Sequence, residues 1–410
     1  MKLEQKALIG LSILLVATCL SVYGLIPFLG HDTYVPDIQA KEQNILASVS
    51  TSTPIPQVRH MPVPAQVKSL YMTSCVAGTK QFRADLVAIL DTTELNSIVI
   101  DIKDFTGFLS FRPEDPALKG FLSSRCYAPD MKEFIALLHE KGVYVIGRIT
   151  VFQDPAFVKQ YPEFAVRRAS DGGIWADRKG INYLDPGAKG VWDHIVAISK
   201  ESYAIGFDEL NFDYIRFPSD GNMSDIAFPH SLGRSKQEVL EGFFSYLNSQ
   251  LKPIGVMMSA DLFGMTATNY DDLNIGQVLE RALPYFDFVA PMVYPSHYPP
   301  NFNGWPNPNL VPYEIIKYSM DRAVARTIAT TTRIKTFGST PIASTSPQLY
   351  SKPAFSQYKL RTWIQDFDYG GNYDIPEVKA QIQATYDAGL NSWMLWAPSN
   401  RYTLGALNKE

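Results

Sequence analysis

From residue 68 to residue 398 the chain repeats one pattern: an apolar, β-branched or aromatic run, a polar or Gly/Pro-containing loop, then a stretch with helical spacing. Eight runs stand out: 68–74 (KSLYMTS), 97–104 (SIVIDIKD), 143–152 (VYVIGRITVF), 207–218 (FDELNFDYIRFP), 256–264 (VMMSADLFG), 287–298 (DFVAPMVYPSHY), 360–367 (LRTWIQDF) and 392–398 (SWMLWAP). Helical stretches at 82–91, 131–141, 192–203, 236–251 and 376–388 fall between them. Strands alternating with helices predict parallel βαβ units in an α/β fold, and the count of eight predicts a closed (β/α)₈ TIM barrel. An open, doubly wound sheet is the alternative; the GxGxxG turn of its dinucleotide-binding form does not follow the first strand. The length exceeds that of a plain barrel, so enlarged βα loops are expected at 105–130, 153–190, 219–234 and 296–313.

The alternation within the runs assigns faces, because successive strand residues point to opposite sides. Ile98, Ile100 and Ile102 share one face, and Val99, Asp101 and Lys103 the other. Leu210, Phe212 and Tyr214 likewise oppose Glu209, Asn211 and Asp213. The apolar face suits the surrounding helices. The polar face then points into the barrel and towards the C-terminal strand ends, where barrel enzymes place their chemistry.

The N-terminal pattern differs. Lys2 and Lys6 precede an uncharged stretch over 7–30, long enough to span a bilayer, and their position predicts a cytoplasmic N-terminus with the rest outside. Residues 1–30 are therefore expected to be a transmembrane signal anchor; a cleaved secretion signal and lipidation at Cys19 are the alternatives. Residues 31–66, rich in Ser, Thr and Pro, are expected to be a linker, and 67–410 the barrel.

Composition adds exclusions. With 46% hydrophobic and 19% charged residues among 410, a large core is available and global disorder is not expected. A net charge of −4 offers no basic face for nucleic acid. Aromatics at 12% suit sugar stacking and ordinary cores equally. Beyond Cys19 only Cys75 and Cys126 remain, without CxxC or Cys/His spacing, so neither a metal site nor a cofactor is expected. One disulfide and two separate buried thiols both remain open.

Candidate chemistry gathers at the strand ends. Asp101 and Lys103 end the second run, Arg148 the third, Asn211 and Asp213 with Arg216 the fourth, Asp261 the fifth and Asp366 the seventh. A closed barrel brings these to one mouth. Adjacent strands lie about 5 Å apart, so carboxylates on strands four and five can flank one scissile bond, as glycoside hydrolysis requires. Asp213 is the candidate nucleophile or base and Asp261 the candidate acid, with Asp366 in support. Asp101, Lys103, Arg148, Asn211 and Arg216 would position substrate and tune the acids. Each Asp near an Arg also reads as a structural ion pair. Asp208 and Asp287 fall at the other ends of their strands and read as structural. Tyr294, His297, Tyr298 and Trp396 come at or after strand ends, suited to stacking on a sugar or to rim packing. No GxSxG, P-loop or HExxH motif occurs.

The segments VIDIKD (99–104), GFDELNFDYIRFP (206–218), SADLFG (259–264), APMVYPSHY (290–298) and WIQDF (363–367) together resemble a bacterial family of glycoside-hydrolase-like TIM barrels. The resemblance runs from about residue 67 to residue 401. That family is similar in layout to the α-amylase-type barrels, which carry a nucleophilic Asp on strand four, a Glu acid on strand five and an Asp on strand seven. The resemblance implies these roles for Asp213, Asp261 and Asp366. This chain departs in having Asp at the fifth-strand position and an arginine after, instead of before, the fourth-strand Asp. The expected function is a glycosidase acting on cell-wall or extracellular polysaccharide. A non-catalytic glycan-binding barrel and a metal-dependent barrel enzyme are the alternatives.

Overall fold

Eight parallel strands form one closed sheet in the computed structural model, which describes residues 58–409. They are β1 (Lys68–Met72), β2 (Ser97–Lys103), β3 (Tyr144–Thr150), β4 (Glu209–Asp213), β5 (Met257–Phe263), β6 (Phe288–Met292), β7 (Thr362–Gln365) and β8 (Trp393–Trp396). Each pairs with its neighbour in chain order, and β8 returns to β1 with Ser69 opposite Met394, closing the barrel. All eight predicted runs contain one strand. The predicted anchor and the linker up to residue 57 lie outside the described residues; among the described residues no helix is long and apolar enough to cross a membrane.

The helices are α1 (Ser74–Gly78), α2 (Lys80–Leu90), α3 (Met131–Glu140), α4 (Pro155–Gln160), α5 (Lys189–Ala204), α6 (Lys236–Leu251), α7 (Leu279–Ala282), α8 (Pro312–Ile328) and α9 (Ile375–Asp387). Their buried stripes follow helical spacing: α6 buries Val239, Leu240, Phe243, Phe244, Leu247 and Leu251. A reciprocal Ser235–Glu238 capping box starts that helix. The stripes pack on the outer sheet face, where Ile98, Ile100, Ile102, Leu210, Phe212, Met258, Ala260 and Leu262 are buried. Helix α8 has no counterpart in the sequence pattern, because its buried stripe mixes Ile315, Ile316 and Met320 with Ser319, Arg326 and Thr327.

The barrel interior is a separate core of Tyr71, Val99, Tyr144, Ile146, Ala290, Trp363 and Met394. Beneath it, Arg361 donates to both Glu209 oxygens at 2.7 and 2.8 Å, and the Tyr144 hydroxyl donates to Glu209 at 3.0 Å. This buried ion pair fills the lower barrel. Residues 58–66, assigned by composition to the linker, belong with the barrel. Met61 and Val63 pack against the interior core, the Met61 N–H donates to Asp208 at 2.6 Å, and His60 stacks on Tyr203 at 3.9 Å. Asp208 also accepts from the Val145 N–H at 2.8 Å, and Asp287 pairs with Lys252 at 2.8 Å. Both acids thus tie together the ends of the strands opposite the mouth.

Above the barrel the long βα loops brace each other. Cys75 in α1 is bonded to Cys126 in the loop after β2, which selects the disulfide over two free thiols. The loops after β3 and β4 share a small core of Val166, Trp175 and Tyr183 with Met223, Ile226 and Phe228. Strand β4 stops at Asp213, short of the predicted run, because Tyr214 takes φ 51° and breaks the extended backbone. Strand β6 stops at Met292, before the Pro295–His297 turn.

Candidate active site

Strands β2 to β5 each deliver one charged side chain inward at their C-terminal end, and their register sets these side by side. Asp101 on β2 lies opposite Arg148 on β3. Thr150 lies opposite Asp213 at the end of β4, and Phe212 lies opposite Ala260, one residue before Asp261 on β5. The resulting cavity, of about 140 Å³, is lined by Tyr71, Arg148, Asp213, Tyr214, Arg216, Asp261, Phe263, Met292, Tyr294, His297, Trp363 and Trp396.

Arg148 is the central cation. Its Nη1 donates to Asp101 Oδ1 at 2.7 Å, while its Nε donates to Asp213 Oδ2 at 3.1 Å and its Nη2 bonds the same oxygen. Burial opposes its charge, but Asp213 and Asp101 more than offset this and raise its pKa further. Asp213 Oδ1 accepts from the Tyr214 N–H at 2.6 Å. Among the described residues, Asp213 therefore accepts only from N–H donors. The strained φ of Tyr214 swings that N–H onto the carboxylate and its ring into the cavity. Tyr214 thus leaves the outer face on which alternation alone puts it.

Asp261 is in a different environment. Its Oδ1 accepts from Asn211 Nδ2 at 2.8 Å and from Trp363 Nε1 at 2.7 Å. Burial, followed by the charge of Asp213, pushes its carboxyl well above the usual range, outweighing the bonds from Asn211 and Trp363. The two strand-end acids therefore sit in different surroundings: Asp213 is held by a guanidinium, whereas burial makes Asp261 favour its proton. Asp101, fully enclosed behind them, is also raised by burial, with Arg148 and the Tyr71 hydroxyl bond opposing.

The rim is aromatic. Tyr294 stacks on Trp396 with centroids 4.8 Å apart, and Phe367 meets Trp396 edge-on at 5.1 Å. His297 contacts the Tyr294 ring edge-on at 5.3 Å, and burial lowers its pKa, favouring neutral imidazole.

The expected residues therefore divide. Arg148, Asp213, Arg216, Asp261, Tyr294, His297 and Trp396 line the cavity; Asp101 and Asn211 support them from behind. Lys103 does not reach it. A register shift between Asp101 and Lys103 turns Lys103 outward into a buried pair with Asp154 at 2.8 Å. Asp366 does not reach it either. On β7 Trp363 faces inward, so Asp366 faces out, where it accepts from Thr403 Oγ1 at 2.6 Å and Thr403 N at 2.9 Å. The guanidinium beside Asp213 is that of Arg148; Arg216 bonds Ser219 at 2.8 Å and lies over the Tyr214 ring. Tyr298, buried, bonds Ser319 at 2.9 Å below the rim. Tyr71, Tyr214, Phe263, Met292 and Trp363 were not anticipated; Tyr71 and Trp363 sit at inward positions of their strands, a signal that reads equally as core. Among the described residues no three His, Cys, Asp or Glu side chains stand close enough to hold a metal ion.

No curated protein matches the chain. Among solved structures it is similar to a hypothetical protein from Ruminiclostridium thermocellum, at 33% identity over 50% of this chain and 98% of that one, with a TM-score of 0.43. It is also similar to the PgaB (BpsB) glycoside hydrolase domain from Bordetella bronchiseptica, at 14% identity over 81% of this chain and 94% of that one, TM-score 0.54. Alpha-L-fucosidase isoenzyme 2 from Paenibacillus thiaminolyticus matches at 11% identity over 83% of this chain and 48% of that one, TM-score 0.51. The last two likenesses establish the barrel fold. A family model described as "Putative glycosyl hydrolase domain" matches residues 69–402, nearly the whole described chain, and the protein belongs to that family.

Proposed function

We propose that this protein is a glycoside hydrolase of extracellular or cell-wall polysaccharide, with Asp261 as the general acid and Asp213 as the nucleophile or base. One observation carries the reading: a guanidinium-clamped carboxylate and a proton-retaining carboxyl on adjacent strands line the same cavity. Asp261 Oδ1 is occupied by Asn211 and Trp363, which leaves Oδ2 to hold the proton facing substrate. That proton passes to the glycosidic oxygen as the bond to the anomeric carbon breaks. Asp213 either bonds the anomeric carbon or takes the proton of the attacking water. Trp396, half-buried at the mouth and backed by the buried Tyr294 ring, is the aromatic side chain placed to meet a sugar ring. The family and the fold it shares with the PgaB domain support the reaction class.

The test is release of reducing ends from peptidoglycan, α-glucans and amino-sugar polymers. The native protein is expected to cleave at least one of them, and Asp213→Asn to lower turnover by at least about 100-fold. Full turnover by Asp213→Asn on every glycan the native protein cleaves contradicts the assignment, and loss of native activity with a chelator points instead to a metal-dependent reaction. We further propose that the barrel lies outside the cytoplasm, tethered by residues 1–30; the Cys75–Cys126 bond supports an oxidising compartment. External protease should degrade the barrel domain in intact cells, and full protection would refute this placement.

A further inference from the structure

A second cavity, of about 300 Å³, lies beyond the C-terminal end of β5. Thr268 and Tyr270 from the turn after β5 line it, with Arg322 and Arg326 from α8 and Thr331 and Arg333 from the segment that follows. Phe263, at the end of β5, lines the carboxylate cavity, and Thr268 and Tyr270 a few residues further along the chain line this one.

Arg326 forms the floor. Its Nε donates to Glu280 at 2.9 Å, and its Nη1 donates to the carbonyls of Ala267 at 3.1 Å and Asn269 at 2.8 Å. Glu280 compensates its charge. Arg322 and Arg333 differ: both are exposed, and among the described residues no carboxylate pairs with either. The Arg322 guanidinium lies on the Tyr318 ring at 3.5 Å. The half-exposed Tyr270 ring has Arg326 at 4.5 Å and Arg333 at 5.9 Å. A guanidinium stacked on an aromatic face keeps its edge N–H donors free, and that edge matches a carboxylate. Three arginines against one glutamate leave the lining with a net charge of +2, in a protein whose total is −4. Thr268 and Thr331 add hydroxyls, and Tyr270 adds a flat face.

We propose that this cavity binds an acidic sugar residue of the glycan, with its carboxylate on Arg322 and Arg333 and its ring against Tyr270. The proposal rests on the glycoside-hydrolase reading and narrows the substrate class to glycans carrying uronic-acid units. The test is calorimetric titration of the full chain with oligogalacturonate and with hyaluronan oligomers, against maltooligosaccharide and inorganic phosphate. An acidic oligomer is expected to bind, and Arg322→Ala with Arg333→Ala to weaken it at least about tenfold, the scale of one lost charge-assisted contact, at unchanged Tm. Native affinity in the double variant, equal binding of maltooligosaccharide, or binding of phosphate but of neither acidic oligomer overturns the proposal. If the hydrolase reading alone fails, the native protein releases no reducing ends yet still binds the acidic oligomer through both arginines.

Discussion

Asp261 is buried beside a second carboxylate, and its position sets a conflict between stability and chemistry. Burial and the charge of Asp213 raise its folded pKa. A carboxyl raised in this way contributes stability that is fully present below its unfolded pKa, near about 3.9, and lost as pH rises through the folded value. Asp261→Asn keeps an acceptor for Asn211 and Trp363 but removes the titration. Its Tm relative to the native protein is therefore expected to improve as pH goes from 4 to 8. A native-minus-variant difference in Tm that is flat over that range would show that Asp261 is not displaced in the fold. The same residue scale shows how far the site was legible. Asp213 and Asp261 stood out because each is an acid near the C-terminal end of a strand run, Asp213 on the polar face that alternation turns inward. Arg148 was visible as a strand-end cation, but its partnership with Asp213 was not, because Arg216 is nearer in sequence. Asp366 looked equivalent to the other strand-end acids; one residue of register separates facing in from facing out, and only Trp363 beside Asp261 decides it.

Short elements, more than strands, hold the mouth in shape. The disulfide joins α1 to the loop after β2 across 51 residues of sequence, and Arg83 on α2 pairs with Asp130 at the start of α3 at 2.8 Å. Closing a loop of that length restricts the unfolded chain. Cys75→Ser with Cys126→Ser is expected to cost about 2–4 kcal/mol, read as a drop in denaturant midpoint that reductant reproduces in the native protein. An unchanged midpoint would mean that the bond constrains nothing. Elements with one clean periodicity were readable from sequence: every barrel strand was found, and α6 was predicted at its observed ends. Helix α8 was not, because its buried stripe carries a threonine together with a serine and an arginine whose partners lie on other elements. The end of β4 was not either, since a tyrosine at positive φ has no signature among β-branched and aromatic neighbours.

At the scale of the whole molecule, the barrel needs a plug at each end. The mouth carries the charged cavity; the opposite end is closed by the Arg361–Glu209 pair and by residues 58–66, with Met61 and Val63 against the interior. A chain beginning at residue 67 lacks that cover and leaves Asp208 without the Met61 N–H. It is expected to melt below one beginning at residue 58, since lost apolar burial and an unpaired buried acceptor both destabilise. Equal melting temperatures would assign 58–66 to the linker after all. Composition could not reveal this cover, because a segment rich in Pro and polar residues packs through only two apolar side chains.

The chemical roles of the two acids can be separated by leaving group. An acid is needed only when the departing oxygen is a poor leaving group. Asp261→Asn should therefore lose at least about 100-fold in kcat/KM on the glycan the native protein cleaves, while kcat/KM stays within about tenfold on a dinitrophenyl glycoside of the same sugar. Its pH–rate profile should also lose the fall at high pH that marks deprotonation of the native acid. Equal losses on both substrates, or no loss on either, would contradict Asp261 as the proton donor and with it the paired-carboxylate account of this barrel.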